Sequence, residues 1–162
     1  MTEMTDSTTV RLEITVDVPR KQAFQVFTEE FDRIKPHAQN LLAVAIAETV
    51  FEPHVGGHVY DRGTDGSVCR WGEVLAFEPP DRVVIGWRIS PQWEIETDPS
   101  RMSEVEVSFT EITPERTRVD LEHRHLDRHG PGWESVRSAV ASDNGWPIYL
   151  NRFSQAIGVQ AP

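Results

Sequence analysis

Residues 69–89, with the sequence CRWGEVLAFEPPDRVVIGWRI, decide the fold class. Large apolar side chains alternate with other residues on both sides of the segment Glu78-Pro79-Pro80-Asp81, which is typical of two strands joined by a proline-initiated turn. A strand sends every second side chain to the same face, so one face of this pair is expected to be buried. The residues predicted on that face are Cys69, Trp71, Glu73, Leu75 and Phe77 in the first strand, and Val83, Ile85, Trp87 and Ile89 in the second.

Strands and turns continue in both directions, from about residue 43 to residue 126, without a helical period. Turns are predicted at residues 55–58, 63–66 and 113–116, where glycine or proline interrupts the apolar alternation. This segment therefore predicts an antiparallel meander of roughly six strands. In its last two strands the buried face is predicted to hold Val105, Val107, Phe109, Thr117, Val119, Leu121, His123 and His125.

Further elements flank the meander on both sides. Residues 10–18 alternate as a strand, and Pro19 then opens a short amphipathic helix that is predicted to break in two. At the other end, a short helix is predicted from Trp133 to Val140, and Pro147 opens a longer helix with one apolar stripe. The order of elements predicts an α+β fold, in which a curved antiparallel sheet of about six to seven strands wraps around the long C-terminal helix.

Composition limits the classes of function. The formal net charge is −10 over 162 residues, and basic residues stand beside acidic ones as in Asp61-Arg62. This pattern predicts a solvated mixed surface that binds neither nucleic acid nor a membrane. A signal peptide and a membrane-length apolar run are both absent, and Cys69 is the only cysteine, so a cytoplasmic location is expected. Residues 1–9 are predicted to be a flexible leader, and residues 10–162 a single domain.

Three stretches carry a resemblance to a known family. They are residues 51–57, residues 71–74 and residues 77–87, and Gly145-Trp146-Pro147 adds a fourth. In this order they resemble bacterial proteins similar to the C-terminal domain of the activator of the heat-shock-protein-90 ATPase, in the START-like (SRPBCC) superfamily of the helix-grip fold. The resemblance runs from about residue 10 to residue 158. It implies a cavity between the sheet and the C-terminal helix, which relatives use for lipids, sterols, polyketides or other apolar molecules.

The favoured function is non-covalent binding of a small hydrophobic or aromatic molecule in that cavity, without catalysis. A cyclase, dehydratase or hydrolase that uses Glu73 with His123 or His125 is an alternative, because a carboxylate on an apolar face would have a raised pKa. A chaperone ATPase activator module is another, but those co-chaperones carry a further N-terminal domain for which 162 residues leave no room, so a chaperone partner is not expected. The residues predicted to line the pocket are Trp71, Glu73, Ile85, Trp87, Val107, Phe109, Leu121, His123, His125, Tyr149, Leu150 and Phe153.

The histidines raise one further alternative, a metal site. His123, His125 and His129 lie within seven residues, but the spacing fixes neither a third ligand nor a carboxylate. Hydrogen-bonded strand histidines are therefore favoured, and no metal is expected. No cofactor is expected either, because the sequence contains neither a Walker loop nor a Gly-x-Gly-x-x-Gly motif. The sequence leaves a homodimer open.

Overall fold

A computed structural model describes residues 8–160 of the chain, with side chains as far as residue 158. The predicted leader lies outside the described residues except for Thr8 and Thr9. The backbone carbonyl of Thr8 accepts a hydrogen bond from the Leu126 N–H, and that of Thr9 accepts one from the Arg137 guanidinium. The beginning of the described chain is thus tied to the segment that follows the sheet.

A single antiparallel sheet of seven strands dominates the described residues, in the order β1-β7-β6-β5-β4-β3-β2. Six of the strands form the predicted meander, and β1 joins its far edge by pairing with β7. The strands are β1 Val10–Val16, β2 Ile46–Phe51, β3 His58–Gly63, β4 Val68–Glu78, β5 Arg82–Trp87, β6 Ser103–Thr113 and β7 Arg116–Arg124.

The helices follow the predicted order. Between β1 and β2 the chain forms α1 (Arg20–Glu29) and α2 (Phe31–Ile34), so the first helix is broken in two as expected. After β7 come α3 (Trp133–Ala141) and the long α4 (Trp146–Gln160). The sheet and α4 share one apolar core, which gives the predicted α+β fold with a curved sheet around the C-terminal helix.

One half of the inner face of the sheet is filled by phenylalanines. Phe24 of α1 lies with its ring centroid 5.3 Å from those of Phe77 and Phe109. Phe27 lies 6.0 Å from Phe109 and 5.6 Å from Phe153 of α4. Edge-to-face pairs of this kind contribute about 0.5–1.5 kcal/mol each beyond the burial of their area. Helix α1 therefore packs against this half of the sheet.

Strand β4 departs from the alternation that its sequence predicts. Val59 of β3 pairs with Gly72, whereas Tyr60 pairs with Arg70, so Trp71 is an extra residue in β4. Such a bulge shifts the following residues to the opposite face. Glu73, predicted on the inner face, is consequently half-exposed, and its carboxylate lies 2.8 Å from the Arg88 guanidinium. A second register shift, with β5, lies between Val74 and Ala76. After it the alternation again matches the sequence pattern, and Phe77 pairs with Val83 on the inner face.

Candidate ligand-binding site

The other half of the inner face is open. A cavity of about 450 Å³ lies between β3, β4, β5, the segment after α2 and the α3–α4 corner. That volume is within the usual range for small-molecule sites. Aromatic side chains form much of its wall, namely Trp71, Trp87, Trp93, Trp146 and Tyr149.

Four rings of the aromatic wall are linked by edge-to-face and tilted contacts. The Trp87 ring centroid lies 5.6 Å from those of Trp71 and Trp146, and Tyr149 lies 4.8 Å from Trp146. The indole Nε1 atoms of Trp71 and Trp87 are buried and have no hydrogen-bond acceptor among the described residues. Ring faces and edges in this arrangement suit contact with another aromatic system.

His123 supports this wall from behind. It is fully buried, and its Nδ1 accepts a hydrogen bond of 3.0 Å from Trp146 Nε1. Its proton is therefore assigned to Nε2, which donates to Ser103 Oγ at 2.8 Å, and the Ser103 hydroxyl in turn donates to His129 Nε2 at 2.8 Å. Burial, together with a smaller contribution from the neighbouring His129, lowers the pKa of His123 to about 3. A neutral His123 thus fixes the orientation of Trp146.

A buried ion pair also lines the cavity. Lys35 Nζ donates to Asp61 Oδ2 at 3.0 Å, and only 5% of the Lys35 side chain and 3% of the Asp61 side chain is exposed. Asp61 Oδ1 also accepts a hydrogen bond of 2.7 Å from Thr49 Oγ1. Lys35 follows α2, whereas Asp61 and Thr49 lie on β3 and β2, so three elements hold these charges in place.

A second polar group joins the segment after α2 to α4. Tyr149 Oη donates to Gln39 Oε1 at 2.6 Å, and Gln39 Nε2 donates to the backbone carbonyl of Asn144. Burial raises the pKa of Tyr149, with a further contribution from the negative charge of Asp61. The phenol is therefore a neutral donor at ordinary pH, and the segment that carries Gln39 is fastened to the rim of the cavity.

The structure separates the residues that were predicted to line the pocket. Trp71, Trp87 and Tyr149 line the cavity. His123 lies behind the wall, and Glu73 faces outward for the reason given above. His125 follows the end of β7 in a left-handed conformation, with φ of 60°, and is exposed, so it does not share a face with His123. The remaining six are core residues outside the cavity lining: Ile85, Val107, Phe109, Leu121, Leu150 and Phe153.

Several lining residues were missed from the sequence. The Asp61-Arg62 pair was interpreted as part of a solvated surface, but Asp61 is buried. The alternation of β3 contained the signal, because Asp61 stands two residues from Val59 and shares its inward face. No local signal marks Lys35, since its partner is 26 residues away in the sequence.

The described part of the chain offers neither a cluster of metal ligands nor a helix that could span a membrane. Residues 8–160 contain no group of three His, Cys, Asp or Glu side chains placed to hold a metal ion. His123 and His129 converge on Ser103 rather than on a common empty position. Among the described helices, none is long and apolar enough to cross a membrane.

Comparison with known proteins identifies the family. The family model described as activator of Hsp90 ATPase homolog 1-like protein matches residues 17–158. The chain belongs to this activator-like family. Among curated protein sequences, no relative matches it. The match confirms the expected superfamily. It covers strands β2 to β7, helix α3 and nearly all of helix α4.

Solved structures of this activator-like fold include two with clear sequence similarity. The anthrahydroquino-gamma-pyrone synthase Txn09 is 34% identical, with 91% of this chain and 96% of that chain covered and a TM-score of 0.64. The self-sacrificing resistance protein CalC from Micromonospora echinospora is 31% identical, with 96% and 97% covered and a TM-score of 0.67. Protein MLL2253 from Mesorhizobium loti, 20% identical over 95% of this chain and 99% of that chain, has a TM-score of 0.66 and shows the shared fold alone.

Proposed function

We propose that this protein binds one small, planar hydrophobic or aromatic molecule non-covalently in the cavity beside α4. The observation that carries the proposal is the wall of aromatic rings around an open volume of about 450 Å³. Large aromatic side chains line the cavity, as they pack the half of the sheet under α1, so the cavity is not a consequence of missing apolar side chains.

The wall is suited to binding because its rings are already held in place. Trp146 is fixed by its hydrogen bond to His123, and Tyr149 by its hydrogen bond to Gln39. A ligand that enters such a site does not have to order these side chains, and the ordering of rotamer-rich side chains is one of the main costs of association. Contact with the rings adds to the gain from removing apolar area from water.

The two relatives above 30% identity support a small-molecule role. One is named a synthase of an anthrahydroquino-gamma-pyrone, and the other a resistance protein. The synthase also favours a second candidate function, catalysis on a bound aromatic compound. The titratable side chains that line the cavity, within the described residues, are Lys35, Asp61 and Tyr149, so these would replace Glu73 and His125 as candidate catalytic groups.

Equilibrium dialysis against fluorene, a planar tricyclic hydrocarbon, tests the binding proposal. Ala139 lines the cavity, and Ala141 lies two residues further along α3 and is exposed. We expect one bound fluorene per chain in the native protein and in the control Ala141→Phe, and binding at least ten-fold weaker in Ala139→Phe, whose added ring occupies the cavity. Equal binding by all three proteins, or none by the native protein, would refute the proposal. Mass spectrometry of the ligand recovered after dialysis distinguishes binding from catalysis, since an enzyme would return an altered compound.

A further inference from the structure

The hydrogen bonds of Lys35 are incomplete. Its ammonium group carries three N–H donors. Within residues 8–160, two acceptors are provided, namely Asp61 Oδ2 and the backbone carbonyl of Gln39. The third donor has no protein acceptor there, although the side chain is almost completely buried and lines the cavity. A buried ammonium with a free N–H can be satisfied by a ligand atom that accepts a hydrogen bond.

Burial of the Lys35–Asp61 ion pair carries a cost in hydration free energy. Two charges that leave water lose hydration free energy, and a well-packed apolar pair of similar size often stabilises a protein as well or better. Stability alone therefore does not explain Lys35 and Asp61 in an aromatic cavity. Asp61 is fixed by Thr49 and compensates the charge of Lys35, so the ammonium can remain charged beside the apolar wall.

The Lys35 ammonium group lies next to the aromatic wall. Lys35 Nζ lies over the face of the Trp71 ring, 5.9 Å from its centroid, so the ammonium also makes a cation–π contact with the aromatic wall. A flat ligand in contact with Trp71 therefore has atoms next to the ammonium. Among the described residues, the indole N–H groups of Trp71 and Trp87 also lack acceptors, but both nitrogen atoms are shielded by the surrounding side chains. Lys35 is thus the charged donor in the lining of the cavity.

We propose that Lys35 anchors the ligand by donating its third N–H to a ligand oxygen, which assigns the ligand to the planar aromatic ketones and quinones. This inference rests on the proposed binding function and narrows it. A hydrogen bond from a charged donor is stronger than one between neutral groups, and it strengthens further where water is excluded. An oxygen-bearing ligand should accordingly bind more tightly than the hydrocarbon of the same shape.

The matched pair of fluorene and 9-fluorenone, which differ by one ketone oxygen, isolates this contact. Equilibrium dialysis gives the ratio of the two dissociation constants for each protein. The test variant is Lys35→Met with Asp61→Leu, which removes both charges and leaves no unpaired ion. The control variant is Arg88→Gln with Glu73→Gln, which removes an ion pair from the outer face of the same sheet. Circular dichroism and urea unfolding establish that both variants are folded.

We expect the preference for 9-fluorenone over fluorene to fall at least ten-fold in the test variant and to change less than two-fold in the control. Fluorene itself should bind the test variant at least as well as the native protein. An unchanged preference in the test variant would overturn the role of Lys35 while the binding function stands. If the native protein binds neither compound, both the anchor and the binding function are refuted. If the test variant does not fold, the inference is tested by the ratio of the two dissociation constants in the native protein. Tighter binding of 9-fluorenone than of fluorene supports the role of Lys35, and equal or weaker binding overturns it.

Discussion

His123 is a buried imidazole whose neutrality is part of the structure. Its Nδ1 must remain unprotonated to accept from Trp146, and burial holds its pKa near 3 against an ordinary value of 6.5. Burial also lowers the pKa of His129, which accepts from Ser103. Protonation of either ring would remove an acceptor from a place that water does not reach. The fold therefore depends on both histidines staying neutral.

This dependence predicts a loss of stability in mild acid. Because the pKa of His123 is lower in the folded protein than in the unfolded chain, its contribution is fully present above about pH 6.5 and is lost as the pH falls toward 3. Between pH 7 and pH 5 the free energy of unfolding should fall by about 2 kcal/mol from His123, with a further loss in the same direction from His129.

Urea unfolding at pH 7 and pH 5 measures this change. Burial raises the pKa values of Glu104 and Glu106, but the hydrogen bonds and charge of Arg124 outweigh it and hold both below 4.5, so these carboxyl groups are mostly ionised at both pH values. His123→Gln should remove most of the pH dependence, whereas the exposed His54→Gln should keep it. A native protein equally stable at both pH values would contradict the assigned protonation states.

The Lys35–Asp61 pair makes a second prediction at single residues. Lys35→Met leaves the Asp61 carboxylate buried without its partner, which should lower the free energy of unfolding by about 3–5 kcal/mol. Adding Asp61→Leu should recover most of the loss. Arg88→Gln, which breaks an ion pair with both side chains about a quarter to a third exposed, should cost less than about 1 kcal/mol. Urea unfolding of the four proteins provides the comparison, and a double variant as unstable as Lys35→Met would show that the pair itself stabilises the fold.

At the level of an element, strand β4 shows where the alternation of apolar residues predicts the face of a side chain correctly and where it does not. The period of two correctly predicted two strands around the Glu78–Asp81 turn, and it placed Trp71 and Trp87 inside. It failed at Glu73, because a one-residue bulge inverts every direction after it and depends on pairing with β3 rather than on β4 itself. The same limit applies to His125, which lies one residue beyond the end of β7.

The bulge predicts different effects on ligand binding for substitutions of Trp71 and Glu73. Glu73→Gln should leave the affinity for 9-fluorenone within two-fold of the native value, since its carboxylate faces Arg88 on the outside. Trp71→Leu should weaken binding at least ten-fold, because its ring is part of the cavity wall. Equilibrium dialysis of both variants tests the bulge, and a strong effect of Glu73→Gln would place that carboxylate inside.

At the scale of the whole molecule, the sequence identifies an apolar inner face but not which part of it is packed. Phe109 and Phe153 have the same character as Trp87 and Tyr149, yet the first two meet Phe27 and the others meet open space. That difference arises from where α1 packs on the sheet, which depends on contacts between residues far apart in the sequence. The fold class could be predicted because it follows from local periodicity and the order of elements. The cavity lining could not, and half of the residues predicted to line it belong to the core.

The overall charge bears on the ligand class. A chain with a formal net charge of −10 disfavours the approach of strongly anionic molecules. Its cavity nevertheless contains the Lys35 ammonium group, which has only two hydrogen-bond acceptors within residues 8–160. A neutral oxygen acceptor, such as an aromatic ketone, satisfies both conditions, because it is not repelled by the surface and still accepts from Lys35.

The most direct test of a ligand site in this cavity is a crystal structure of the native protein with 9-fluorenone. We expect one molecule between Trp71, Trp87 and Tyr149, with its ketone oxygen about 2.7–3.0 Å from Lys35 Nζ. A fluorenone bound elsewhere on the protein, or a cavity that is closed by the surrounding side chains, would contradict the account.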